Sequence, residues 1–257
     1  SYRTASLTLR NQEYAAFFNN MLDTLSGMAD QERDVCIAYM VGYLCFFAID
    51  QSASPYILFR VWQDLPTKCS SSRMTCHRRK VGTTIDTVLL RSRCHMEPSQ
   101  LNFEALTFIS RKDLSAIAYL MRQTIQTTYK YRISMNEIST GVRNMQRQNI
   151  HLRPDTRFYH LLRYRIEGVL PILPAQKKKV YQDYLSDEHD YMNTDKKPWY
   201  TYPGCPEASY LSFEEIFEQG LQNSHQLLEN LDSCLAWGMD REELINSIIH
   251  LIPYPSI

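Results

Sequence analysis

Residues 40–57 carry the sequence Met40-Val41-Gly42-Tyr43-Leu44-Cys45-Phe46-Phe47-Ala48-Ile49-Asp50-Gln51-Ser52-Ala53-Ser54-Pro55-Tyr56-Ile57. From Val35 to Ile49 the chain is apolar on nearly all sides of a helix, which is typical of a helix buried at the centre of a fold. We predict this helix over residues 30–50, with Asp30 as its N-cap. Because proline is tolerated in a helical first turn, Pro55 is expected to lie at the start of a separate segment that continues to Gln63.

Helical periodicity extends through most of the remaining chain. Ser134 with Glu137, and Ser212 with Glu215, form the sequence pattern of a capping box at the start of a helix. No run alternates apolar and polar residues long enough to predict a sheet. We therefore predict an all-α bundle of about seven to nine helices in a single domain over residues 1–257, with an irregular segment at about 176–211 packed on the bundle. The other predicted helices cover residues 11–26, 75–91, 110–131, 134–148, 155–170, 212–235 and 240–251.

Composition narrows the classes of partner. The 28 basic and 28 acidic residues cancel, which gives no global reason to expect nucleic acid. The seven cysteines include no CxxC pair, so a reduced, cytoplasmic protein is expected, with a secreted protein as the alternative. No signal peptide is visible at the start of the chain. No unbroken apolar run approaches roughly 20 residues, so no transmembrane helix is expected.

The stretch at 40–57 resembles a motif of the bacterial zinc-dependent phospholipase C family, which has the form G-[FY]-L-C-H-[YF]-A-[LI]-D-x-x-x-H-P-Y-[IV]. The apolar frame, Asp50 and the Pro-Tyr-Ile ending are present, whereas the two histidines are replaced by Phe46 and Ser54. Two further segments look like parts of the same family. One is the helix that contains Ile85-Asp86. The other carries Asp190, Asn193, Trp199 and Ser212-Phe213.

The resemblance implies the fold shared by phospholipase C and related nucleases, and a site for three zinc ions held by His and Asp side chains and an N-terminal amine. Such metals activate water and clamp the phosphate oxygens during phosphodiester hydrolysis. Here the family's H-x-x-x-E pair of the following helix falls on Arg78 and Gly82, and no histidine precedes His77. Since a zinc ion needs three or four ligands, we expect no metal site and no cofactor.

The polar residues that remain in the degenerate site are candidates for metal or anion binding. Asp50 is either a remaining metal ligand or the partner of a basic residue such as Arg78. His77 is either a ligand or a solvated side chain among Arg73, Arg78, Arg79 and Lys80. Arg78 could hold a phosphate or carboxylate without a metal. The candidate residues for a degenerate or ligand-binding site are Phe46, Asp50, Ser54, His77, Arg78 and Asp86.

Three hypotheses about function arise from this pattern. The first is a catalytically inactive relative that acts as a binding or regulatory scaffold, with a cleft that either takes an anionic ligand or protein partner or is filled by side chains such as Phe46. The second is a zinc-dependent phosphodiesterase with a rearranged site, in which Asp50, His77, Asp86 and His189 would bind zinc. The third is a structural component that acts through another surface. The loss of several ligands favours the first.

Overall fold

The computed structural model describes residues 2–65, 69–150, 190–237 and 241–252. These residues form eight α-helices and one short 3-10 helix, Pro98–Gln100, and they contain no β-strand. The prediction of an all-α fold is therefore confirmed for the described part of the chain. The predicted helix at 155–170 lies outside it. The α-helices are α1 (Tyr2–Ser26), α2 (Asp30–Asp64), α3 (Ser71–Cys94), α4 (Phe103–Leu106), α5 (Arg111–Tyr129), α6 (Met135–Ile150), α7 (Phe213–Trp237) and α8 (Arg241–His250).

Both predicted capping boxes are present at helix starts. At α6 the Glu137 backbone N–H donates to Ser134 Oγ at 3.2 Å, and the Ser134 N–H donates to Glu137 Oε2 at 2.8 Å. At α7 the Ser212 N–H donates to Glu215 Oε2 at 2.8 Å. The predicted N-cap of α2 is wrong, because Ala29 occupies that position and Asp30 lies in the first turn. There its carboxylate is 3.2 Å from the Arg33 guanidinium.

The helix α2 is a single element of 35 residues that continues through Pro55. The prediction of a separate segment starting near Ser52 is therefore wrong. Proline cannot donate a hydrogen bond to the preceding turn, which normally ends or kinks a helix. Here Pro55 and its neighbours Ala53 and Tyr56 are buried against other elements, and this packing offsets the lost hydrogen bond.

The continuous α2 also bears on the expectation of no transmembrane helix. It contains an 18-residue window that is long and apolar enough to cross a membrane by length and composition. The core helix of a soluble protein and a signal sequence share this property. The expectation of no transmembrane helix rested on the length of unbroken apolar runs, and that criterion does not detect a window interrupted by polar residues.

The first hydrophobic cluster surrounds the N-terminal half of α2. Met40, Leu44 and Phe47 point into it and meet buried residues of α1, α5, α7 and α8. The ring of Phe47 lies 5.7 Å from that of Phe18 on α1. Burial of each such side chain stabilises the folded state by about 1.5–3 kcal/mol. Contacts with four helices therefore explain most of the apolar residues between positions 35 and 49, whereas Ala38, Gly42 and Phe46 are exposed.

The crossing of α2 and α7 is close because Gly220 has no side chain. A Cβ atom on Gly220 would lie 3.1 Å from the Cα atom of Ile49. One turn further along α7, Ser224 Oγ donates to the Gly220 carbonyl at 2.8 Å and lies 3.4 Å from the Cys45 carbonyl. The Asn223 amide donates to Ser52 Oγ at 3.4 Å. Small side chains on α7 therefore set the distance between the two helices.

The second hydrophobic cluster joins the C-terminal half of α2 to α3, the start of α7 and the segment 190–212. Tyr56 is fully buried at its centre. The Tyr56 ring lies 5.3 Å from the Trp199 ring and 5.7 Å from the Phe213 ring. Its hydroxyl donates to the Tyr191 carbonyl at 2.9 Å. Tyr56 of the Pro-Tyr stretch is therefore in direct contact with the segment 190–212 and with the start of α7.

The segment 190–212 is irregular but densely hydrogen-bonded. Asn193 is buried, with a φ of 52°, and its amide nitrogen donates to the carbonyls of Lys197 and Leu211, each at 3.0 Å. Trp199 forms an isolated antiparallel bridge with Ser209, and its indole N–H donates to the Leu211 carbonyl at 3.0 Å. Within the predicted irregular segment at about 176–211, residues 190–211 form no helix, and Tyr191 and Trp199 pack in the second cluster. Residues 176–189 lie outside the described residues.

Candidate functional site

Phe46, Asp50 and Ser54 lie one helical turn apart along α2. Phe46 is 65% exposed, so it does not fill a cleft, and that expectation is wrong. Its neighbour Phe47 takes the buried position instead, because consecutive helical residues point in different directions. Asp50 and Ser54 are both half-buried, and Ser54 Oγ donates to Asp50 Oδ1 at 3.0 Å.

Arg78 on α3 reaches the same pair of side chains. Its Nη2 donates to Ser54 Oγ at 3.3 Å. Since a hydroxyl can donate one hydrogen bond while it accepts another, Ser54 links the guanidinium to the carboxylate. The expected pairing of Asp50 with Arg78 is therefore indirect. The three residues form a hydrogen-bonded chain, Asp50–Ser54–Arg78.

His77 lies next to Arg78 in sequence but belongs to a different group. Its Nε2 atom is 2.9 Å from Asp64 Oδ2, and both side chains are largely buried. The Tyr191 hydroxyl donates to the same carboxylate oxygen at 3.2 Å. His77 therefore joins α3 to Asp64 at the end of α2, and Asp64 in turn binds the segment 190–212. His77 is not the solvated side chain that the sequence suggested. Asp64 was missed because nothing in the sequence links it to position 77.

Arg60 and Tyr56 lie next to this polar group, and both interact with Tyr191. The Arg60 guanidinium lies 5.4 Å from the centre of the Tyr191 ring, and Arg60 Nε is buried without a hydrogen-bond partner among the described residues. Burial raises the pKa of Tyr56 to about 12, an effect that Arg60 opposes and the carboxylates of Asp190 and Asp64 reinforce. The phenol therefore stays neutral and keeps donating its hydrogen bond near neutral pH.

Asp190 is held as a carboxylate by the segment that it begins. Burial acts to raise its pKa, but hydrogen bonds from Thr194 and Asp195 and the charge of Arg60 outweigh this and lower it. The Asp195 backbone N–H donates to Asp190 Oδ2 at 3.1 Å. In this chain the D-x-x-N pattern thus has a structural explanation, since Asp190 and Asn193 fold the segment that covers Tyr56.

Asp50, His77 and Asp86 are not brought together as metal ligands. Asp50 bonds to Ser54, His77 bonds to Asp64, and Asp86 is exposed on α3. Within residues 2–65, 69–150, 190–237 and 241–252, no three His, Cys, Asp or Glu side chains are grouped so that they could hold a metal ion. His189, the fourth ligand considered for a rearranged zinc site, lies outside these ranges.

The surface of α3 beside Ser54 is basic. Arg78, Arg79 and Lys80 are consecutive and exposed, as expected for a solvated basic face. Arg91 and Arg93, further along α3, are neutralised by Glu97 and Glu218 at 2.8 Å and 2.6 Å. The positive charge of α3 is therefore concentrated near residue 78, where Arg78 is held in place by Ser54.

Comparison with known proteins adds no relative to this description: the chain matches no protein-family model, no curated protein and no solved structure.

Proposed function

We propose that this protein is a non-catalytic binding protein that takes an anionic ligand on the surface formed by α2 and α3. The observation that carries the proposal is the hydrogen-bonded chain Asp50–Ser54–Arg78. It replaces metal ligands of the resembled hydrolases with groups that bind one another. It also holds a guanidinium, the side chain best suited to phosphate and carboxylate groups, at the protein surface.

The proposal of an inactive relative is supported by the separate bonding of the candidate ligands. A catalytic zinc ion requires three protein ligands around one point, with a position left open for water. Ser54 is a poor zinc ligand, and Asp50 already accepts its hydrogen bond. His77 is bound to Asp64, away from the Asp50 pair. Recruiting His77 Nε2 to a metal ion beside Asp50 would require breaking its contact with Asp64.

The retention of the motif residues is explained by packing alone. Tyr56, Trp199 and Phe213 form one aromatic group, and Asn193 anchors the loop that covers it. These contacts stabilise the fold whether or not a metal is bound nearby. A chain that lost its metal ligands would therefore keep these residues, which is the pattern expected of a scaffold derived from a hydrolase.

The chemistry of the surface favours a small ligand with one phosphate or carboxylate group. The Arg78 guanidinium has five N–H donors, and its contact with Ser54 occupies one of its two terminal nitrogens. Arg79 and Lys80 add positive charge beside it. The Asp50 carboxylate, one hydroxyl away, opposes an incoming anion. We expect the anion to bind Arg78 on the side away from Ser54.

This proposal predicts opposite effects for two substitutions. Arg78→Gln should weaken the binding of inorganic phosphate and glycerol 3-phosphate by about tenfold, because a charge-assisted hydrogen bond is lost. Asp50→Asn should strengthen it, because a nearby negative charge is removed while the hydrogen bond to Ser54 is kept. Binding can be followed by titration calorimetry, and by NMR shifts of the α3 amides.

Arg132→Gln is the matched control, since Arg132 is equally a surface arginine but lies outside α3. It should leave phosphate binding unchanged. The proposal fails if neither anion changes the NMR shifts of the amides around Arg78. It also fails if Arg78→Gln and Arg132→Gln weaken binding equally, which would indicate a general charge effect.

A further inference from the structure

A concave surface lies between α4, the loop that follows it, and α6. It is a groove of about 210 Å³. It shares no residue with the Asp50–Ser54–Arg78 group, so a role for this groove is independent of the proposed function. The groove is lined by Glu104, Thr107, Phe108, Arg143, Gln146 and Arg147.

The loop beside the groove exposes two large apolar side chains. Leu106 is 70% exposed and Phe108 is 75% exposed, the highest values for large apolar residues in the described part of the chain. Exposed apolar groups on a fixed backbone are typical of interaction sites, because a partner gains the free energy of burying them. Burial of one such side chain is worth about 1.5–3 kcal/mol.

Hydrogen bonds fix the backbone that carries this apolar pair. The Asn102 side chain accepts from the Ala105 N–H at 3.1 Å, which caps α4. Thr107 Oγ1 donates to the Phe103 carbonyl at 2.7 Å, and Gln146 Nε2 donates to the Thr107 carbonyl from α6 at 2.5 Å. The start of the loop is thus bonded to α4 and to the opposite wall of the groove. Because this surface is already ordered, it loses little conformational entropy when a partner binds.

The other wall of the groove carries two exposed arginines. Arg143 and Arg147 are exposed and one turn apart on α6. Neither guanidinium has an ion pair or hydrogen bond with any other residue that the structure describes. Each guanidinium can therefore donate two parallel hydrogen bonds to one carboxylate. Their spacing suits two acidic groups on one short peptide.

We propose that this groove binds an acidic peptide segment of a partner protein. An apolar side chain of the segment contacts Phe108 and Leu106, and its carboxylates pair with Arg143 and Arg147. An anionic bilayer fits less well, because clusters of about four to eight basic residues mark such binding and two line this groove. Glu104 in the same groove can accept hydrogen bonds from the backbone N–H groups of a peptide.

The proposal can be tested with random peptides displayed on phage and selected on the purified full-length chain. The expected result is a set of peptides that combine aspartate or glutamate with leucine or an aromatic residue. A synthetic peptide of the selected sequence, labelled for fluorescence anisotropy, then serves as the probe. Arg143→Glu combined with Arg147→Glu should weaken its binding by at least about tenfold. Phe108→Ser should also weaken it by about tenfold.

Matched variants separate the groove from general effects. Arg73→Glu combined with Arg132→Glu makes the same change in charge at two other exposed arginines and should leave binding unchanged. Tyr210→Ser, which removes an aromatic ring that is 58% exposed, is the control for Phe108→Ser. A peptide with lysines in place of its acidic residues should bind the Arg143→Glu, Arg147→Glu protein better than the original chain. Circular dichroism checks that each variant folds.

Three outcomes would overturn this proposal. The first is a selection that yields no peptides combining acidic and apolar residues. The second is binding that is equally weak in the groove variants and their controls. The third is sedimentation of the chain with phosphatidylserine vesicles that depends on Arg143 and Arg147 while no selected peptide binds, which would assign the surface to a membrane.

Discussion

Replacing Tyr56 with alanine is expected to lower the free energy of unfolding by about 4 kcal/mol. The side chain is fully buried and contacts the rings of Trp199 and Phe213. Its loss leaves a cavity at the point where α2 meets the segment 190–212. It also leaves the Tyr191 carbonyl without its hydrogen bond. Tyr56→Phe removes only that hydrogen bond and should cost about 1 kcal/mol.

Urea unfolding followed by circular dichroism measures both changes. Phe46→Ala is the matched control, because it removes an aromatic ring from the same helix at an exposed position. It should change stability by less than about 0.5 kcal/mol. Hydrogen exchange shows which part of the fold is destabilised, since the Trp199 and Phe213 amides should lose protection in Tyr56→Ala. Equal effects of Tyr56→Ala and Phe46→Ala would contradict the described position of the segment 190–212.

Replacing Gly220 with leucine is expected to destabilise the fold by about 3 kcal/mol. Even a Cβ atom at this position lies 3.1 Å from the Cα atom of Ile49, and backbone cannot move aside as a flexible side chain can. The larger side chain must push α7 away from α2. This separation would also lengthen the contacts of Asn223 and Ser224 with α2, each now 3.4 Å.

Gly141→Leu provides the comparison for this substitution. Gly141 also lies within a helix, but a Cβ atom there would meet nothing within 4 Å. Leucine is a better helix former than glycine, so Gly141→Leu should stabilise the chain by about 0.5–1 kcal/mol. Thermal unfolding of the two variants is the measurement. If Gly220→Leu also raised the melting temperature, the close crossing of α2 and α7 would be wrong.

Helices could be predicted from the sequence wherever local signals determine them. The capping boxes at Ser134 and Ser212 mark the starts of α6 and α7 because their hydrogen bonds lie within four consecutive residues. The continuity of α2 could not be predicted in this way. The local rule for Pro55 indicates a new segment, and it is overridden by packing of Tyr56 against residues more than 130 positions away in sequence.

The candidate site was predicted only in part. The closeness of Asp50 and Ser54 follows from their spacing of one helical turn, and Arg78 was considered as a partner. The pairing of His77 with Asp64 and Tyr191 was missed, because it depends on how α3 and the segment 190–212 meet the end of α2. The exposure of Phe46 was missed for a similar reason. An apolar helix has no polar face to show which side is buried.

The groove between α4 and α6 lay outside the sequence-based hypotheses altogether. Phe108 and Arg143 are 35 positions apart and form no recognisable motif. Their meeting depends on the turn after α4 and on the bond from Gln146 to Thr107. Features of this kind arise from tertiary contacts. Of the two helices that carry the groove, α6 could be predicted from the sequence, whereas the four-residue α4 could not.

We propose that the chain has packing residues that resemble those of a zinc hydrolase but binds no catalytic zinc. The most direct test is elemental mass spectrometry of protein purified without chelators or metal-affinity resin. Because Asp50 and His77 are bonded to other side chains, we predict less than about 0.1 zinc per chain. A content of about two to three zinc ions per chain would contradict this account and indicate a phosphodiester hydrolase with a rearranged metal site.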